Sequence, residues 1–100
     1  MSYFYVNVPR SGFIPENSFK PIIEFADTEV VFPSHLCSEL IHVTRIERKH
    51  HRTYRGCLGQ EFFTSYEDAQ KRVRERVYRL KNKLERAIER LDELYEQMEE

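Results

Sequence analysis

The chain has 100 residues, 40% of them apolar and 33% charged, with a formal net charge of −1, which is enough for one small core and too little for two domains. Two cysteines cannot build a disulfide framework and are expected as reduced thiols. The start, Met1-Ser2-Tyr3-Phe4-Tyr5, shows no basic stretch leading into a long apolar run, so the expectation is a cytoplasmic protein without signal peptide or membrane span.

Residues 1–64 read as a β-rich unit. Apolar and β-branched runs bounded by turn residues predict strands at Tyr3–Val8, Pro21–Phe25, Glu29–Phe32, Leu40–Glu47, Arg52–Tyr54 and Glu61–Phe63. Pro9, Pro15, Pro21 and Pro33 punctuate them. Ala26-Asp27-Thr28 offers a tight turn, and Gly56-Cys57-Leu58-Gly59 a second reversal because glycine tolerates positive φ. Residues 9–19 read as an irregular loop that Phe13, Ile14 and Phe19 pack down. The expected product is a small antiparallel sheet or a partial barrel.

Residues 65–100 read as one long helix. Thr64 and Ser65 each have an acid three residues later, Glu67 and Asp68, which is the capping-box spacing in two adjacent registers. No glycine or proline follows Gly59. With Val77 at heptad position a, Val77, Leu84, Leu91 and Met98 fall at a, and Val73, Leu80, Ala87 and Leu94 at d, while Ile88 and Tyr95 at e widen the stripe. A helix of roughly 36 residues would be about 54 Å long, more than a 65-residue unit covers. Ala69, Val73 and Val77 are therefore expected in the chain's own core. The oligomer or partner interface is expected at Val77, Leu80, Leu84, Ala87, Ile88, Leu91, Leu94, Tyr95 and Met98, with a coiled-coil-like geometry.

Charge is sorted along the axis. Residues 45–83 hold twelve Lys/Arg against five Asp/Glu, whereas residues 84–100 hold two against seven. Antiparallel pairing with a second copy lays each basic half on an acidic one, and a register in which paired residue numbers sum to 171 sets every a opposite a d. That register also brings Lys83 near Arg90, a local conflict between like charges.

Three kinds of chemistry can be weighed on the remaining residues. His35, Cys37, His42, His50, His51 and Cys57 lie within 23 residues, but none forms the closely spaced ligand pair of a structural zinc site, so no metal is expected. Cys57 with His50 or His51 is the only local nucleophile–base pairing, and no recognisable nucleophile motif surrounds it. No phosphate loop, paired-carboxylate motif or dinucleotide fingerprint is present, so neither catalysis nor a cofactor is expected. The stronger signal is basic: Arg45, Arg48, Arg52 and Arg55 with Tyr54, followed by Arg72, Arg76 and Arg79 on the helix. Gathered on one face they could bind a nucleotide or nucleic acid, with arginine forks on phosphate and Tyr54 stacked on a base. The plainer reading is a solvated surface that complements the acidic half of a neighbouring chain.

The stretch from Tyr54 to Ala69, with Phe62-Phe63-Thr64-Ser65 running into Glu67-Asp68-Ala69, resembles an element of small bacteriophage accessory proteins, in which an edge strand ending in Phe-x-Ser/Thr leads into a helix opening with acids and alanine. A compact β unit feeding an oligomerising helix also resembles, in layout, phage anti-defence proteins that sequester a nucleotide signal. The resemblance implies a phage-encoded inhibitor acting by stoichiometric binding in the host cytoplasm. The expectation is thus an α+β, non-enzymatic homo-oligomer whose partners are itself and a host or defence protein. A phosphorylated ligand held by the arginine-rich face is the alternative.

Overall fold

The computed structural model describes residues 1–10, 15–33 and 39–98. Phe13, Ile14, His35 and Cys37 lie outside the described residues. Five strands precede one helix: β1 Ser2–Val6, β2 Ile22–Ala26, β3 Leu40–Glu47, β4 His50–Cys57, β5 Phe62–Phe63 and α1 Tyr66–Met98. All the strand pairings are antiparallel, with β1 central in the order β2-β1-β5 and β3 paired with β4 in a second sheet. Isolated bridges join the sheets at both edges, Val31 to His42 and Leu58 to Phe62. The layout is the α+β arrangement expected, an N-terminal antiparallel β unit followed by one long helix.

The three-stranded sheet lies between the β3–β4 hairpin and the helix, and strand alternation assigns its side chains. Tyr3 and Tyr5 of β1, Ile23 and Phe25 of β2 and Phe62 of β5 face the hairpin, where Phe25, Ile41, Val43, Tyr54 and Phe62 form one buried cluster. Phe4 and Val6, Ile22 and Phe63 face the other way and pack with Val8 against Ala69, Val73 and Leu80 of the helix. A strand covered on both faces needs an unbroken apolar run, which is what Tyr3-Phe4-Tyr5-Val6 supplies. The aromatic rings interlock, with Tyr54 5.0 Å from Phe25 and 5.1 Å from Tyr5 between centroids. Complete burial of a side chain such as Phe25 or Phe62 contributes on the order of 1.5–3 kcal/mol.

Three expectations change. Glu29–Phe32 is not a strand: Asp27–Glu29 forms a 3-10 turn, and Val31 alone bridges to β3. The Glu29 carboxylate folds back to accept from the Ala26 N–H at 2.9 Å, which closes the turn. Strand β4 is longer than Arg52–Tyr54, because a two-residue reversal at Arg48 and Lys49, φ 46° and 70°, lets it pair from Glu47–His50 onward. Both φ values are those of a type I′ hairpin turn, in which Asn-Gly is usual. Val77, expected in the core, is half exposed.

The helix opens on Ser65, whose Oγ accepts from the Asp68 N–H at 3.4 Å, one of the two capping registers expected. It continues through Asn82 to Met98, a length of roughly 50 Å at 1.5 Å per residue. The molecule's long dimension is 61 Å against 30 and 26 Å across. The β unit covers α1 only as far as Leu80, so the rest of the helix projects as an arm. Among the described residues no helix is long and apolar enough to cross a membrane.

Candidate functional site

Two clefts meet at Arg76. The larger, about 1110 Å³, opens between the inner face of the hairpin near its turn, the end of β1 and the chain around residues 18–24, and Arg45, Arg52, Tyr54 and Arg76 all line it. The smaller, about 580 Å³, runs along the helix, where Arg72, Arg76, Arg79 and Lys83 stand at spacings of four, three and four beside Arg10. Those spacings put four cations on one helical face.

Much of this charge is committed within the chain. Arg45 donates from Nε to Glu29 Oε1 at 3.3 Å, from Nη2 to Oε2 at 3.1 Å and to the Glu24 carbonyl at 3.0 Å, with its guanidinium 4.4 Å from the Phe25 ring centroid. Those hydrogen bonds, with the one from the Ala26 N–H, hold the Glu29 carboxyl below its usual range. Arg76, with its side chain 15% exposed, donates to the Val8 carbonyl at 3.2 Å and stands 4.0 Å from Glu61. Burial pushes its guanidinium below the ordinary value, opposed by the Glu61 charge. Arg72 donates to the Gly59 carbonyl at 3.3 Å and pairs with Glu75, and Lys83 donates to the Arg10 carbonyl at 3.4 Å. These bonds staple the loops after β1 and β4 onto the helix.

Arg52 is placed differently. Its guanidinium lies 5.1 Å from the Tyr54 ring centroid at the cleft wall, and the Tyr54 hydroxyl donates to Glu47 Oε1 at 3.4 Å. Burial raises the Tyr54 phenol above its ordinary pKa.

Arg48 and Arg55 join neither cleft. Arg48 sits in the hairpin turn, and Arg55 pairs across the ladder with His42 on the face opposite Tyr54. Conversely Arg10, Lys20 and Glu61 line the larger cleft although the sequence did not single them out. Their place depends on how loops 7–10, 18–21 and 58–61 close over the sheet, for which no local pattern exists.

The second candidate is the arm. Ala69, Val73, Leu80, Leu84, Ala87, Leu91, Leu94 and Met98 recur at spacings of three, four and seven, so one face runs the length of the helix. Leu80 is 8% exposed and belongs to the chain's own core, which corrects its expected place in an interface. Beyond it the same face is bare: Leu91 is 64% and Met98 84% exposed, and Leu84, Ile88, Leu94 and Tyr95 are also exposed, as is Val77 beside the docked stretch. The arm thus carries a contiguous apolar stripe rather than singly scattered apolar side chains.

Strand geometry rules out the local thiol–imidazole pair. Cys57 and His50 occupy opposite ends of β4, roughly 23 Å apart at 3.3 Å per residue, and His51 is only one residue nearer. Cys57 is a free, half-buried thiol. No group of three or more His, Cys, Asp or Glu side chains gathers in metal-binding geometry among the described residues.

The chain matches no family model, no curated protein and no solved structure.

Proposed function

We propose that this protein is a non-enzymatic interaction module that works through self-association of its helical arm. The observation that carries this reading is the continuation of the docked stripe into the exposed side chains Leu84, Leu91, Leu94 and Met98. Fully burying an exposed apolar side chain gains ~1.5–3 kcal/mol, and because Leu84 and Leu94 are already half covered it takes several such side chains from both copies to offset the entropy lost on association. In this reading the assembled protein captures a host or defence protein, the stoichiometric inhibitor role that the phage resemblance implies.

Sedimentation of the full chain across micromolar concentrations tests it. The expected result is a concentration-dependent oligomer that Leu91→Glu converts to a folded monomer. A wild-type chain that stays monomeric at tens of micromolar overturns the reading.

A second reading rests on the two clefts around Arg76. Arg52 over Tyr54 and the row Arg72, Arg79 and Lys83 form a basic surface suited to a nucleotide or another phosphorylated ligand. Thermal shift with nucleotides at low salt tests it, with Arg52→Ala and Arg79→Ala abolishing the shift. Nucleic-acid binding through the same surface would weaken steeply with salt.

A further inference from the structure

We infer that the partner of the arm is a second copy of this chain running antiparallel, with overlap confined to residues 80–98 and the acidic end of each arm lying beside the basic segment of the other. The inference rests on the self-association proposed above and specifies its geometry.

The position of the β unit decides the orientation. Ala69, Val73 and Leu80 hold that unit on the very face that continues as the apolar stripe of the arm. Paired helices approach to about 8–10 Å between axes, so anything mounted on the seam face obstructs a partner at that level. A parallel, in-register pair would drive the two helix starts and the two β units into the same space. The antiparallel register summing to 171 also fails, because it lays Leu91 of one copy on Leu80 of the other, and Met98 on Val73, where the β unit already sits.

Sliding the antiparallel pair outward by one heptad clears Val73 and confines the obstruction to the last layer, at Leu80. Residue numbers then sum to 178. Leu84 of one copy faces Leu94 of the other, Ala87 faces Leu91, and the same layers repeat across the two-fold axis. Ile88 meets Ile88 at the flank, and Met98 falls level with Leu80, so this last layer stays open where the β unit covers Leu80. Each arm projects about 22 Å beyond Leu84, so the two β units stand at opposite ends of the dimer.

Charge fits this register. Residues 79–86 carry Arg79, Lys81, Lys83 and Arg86 against Glu85, a net of +3, and residues 92–98 carry Asp92, Glu93 and Glu96, a net of −3. The register lays these two segments beside each other twice. The last turn of the helix contains no basic residue, so its acids face the negative end of their own helix dipole, an unfavourable placement in a lone helix. The opposing chain brings its net-positive segment, residues 79–86, to that end. Arg90 approaches Arg90 on the flank opposite Ile88, the one like-charge approach at the centre.

Disulfide trapping tests the register in chains whose native cysteines are replaced by Cys37→Ser and Cys57→Ser. One chain carries Leu84→Cys and another carries Leu94→Cys; each is oxidised alone and as an equimolar mixture, with sedimentation run on the wild type alongside. The expected result is a covalent dimer in the mixture and little in either chain alone. Covalent dimers in each chain alone indicate a parallel pair and overturn the register. So does a wild-type dimer from which no mixture cross-links. A monomeric wild type instead removes the self-association on which the register rests. Raising salt from about 50 to 500 mM is expected to weaken the wild-type dimer severalfold through screening of the two opposed segments, and an unchanged constant argues against their juxtaposition.

Discussion

Glu61 packs directly over the bare backbone of Gly56, its Oε2 2.9 Å from where a Cβ would stand. The same oxygen accepts from the Cys57 N–H at 2.8 Å, while Oε1 faces Arg10 at 3.7 Å and Arg76 at 4.0 Å. The Glu61 carbonyl accepts from the Val6 N–H at 2.8 Å. One residue thereby ties the end of β4, β1, the loop at Arg10 and the helix together.

Gly56→Ala is expected to destabilise the fold by about 1–3 kcal/mol, because the added methyl meets Glu61 Cβ and Cγ in a site with no room. Urea denaturation measures it. Wild-type stability in Gly56→Ala would show that Glu61 swings away without loss.

Glu61→Ala is expected to cost about 1–3 kcal/mol, since it leaves the Cys57 N–H without its carboxylate and removes the counter-charge of the largely buried Arg76 side chain. Glu61→Gln retains an acceptor for Cys57 and should lose less. Equal losses in the two variants would place the effect in the charge alone.

The Glu29–Arg45 pair predicts a pH dependence. The folded Glu29 carboxyl titrates below its ordinary value, so its contribution is fully present above the unfolded value of about 4.3 and is lost as pH falls through the folded value. The pair is partly exposed, so screening keeps the effect within the ~0–1 kcal/mol of surface pairs. Denaturation at pH 7 and pH 3 should show a smaller loss on acidification in Glu29→Gln than in the wild type.

Arg48→Asn with Lys49→Gly is expected to stabilise the hairpin by roughly 0.5–1 kcal/mol, as both residues hold positive φ without the side chains that favour it. Thermal melting reads the gain. A decrease would mean that these side chains make contacts that outweigh their backbone cost.

Leu80→Ala and Leu91→Ala separate the docked stretch of the helix from its exposed arm. The first, in the core with Val6, Val8 and Ala69, should lower monomer stability by about 2–4 kcal/mol. The second should leave a dilute monomer within ~0.5 kcal/mol of wild type while weakening association at high concentration.

A first strand was visible in the apolar run Tyr3–Val8, observed as Ser2–Val6, and Leu40–Glu47 matches its predicted bounds, because hydrophobic pattern and β-branching act locally. The β3–β4 reversal was not visible. Arg48-Lys49 carries no turn signal, and the ladder on either side imposes the positive φ that glycine would adopt freely. The arginines were legible as a composition and not as a site. Arg45 turned to Glu29, Arg55 went to the far face and Arg48 to the turn, while Arg10, Lys20 and Glu61 entered the cleft from loops.

The sequence by itself determined that one long helix carries an apolar stripe with its charges sorted along the axis, since spacing and sign are properties of the chain at fixed 3.6 residues per turn. Only the tertiary structure decided how much of that stripe remains. Docking of the β unit stops at Leu80 because a sheet this small covers about four turns of helix, so Val73 and Leu80 are used within the chain and Leu84 through Met98 stay exposed.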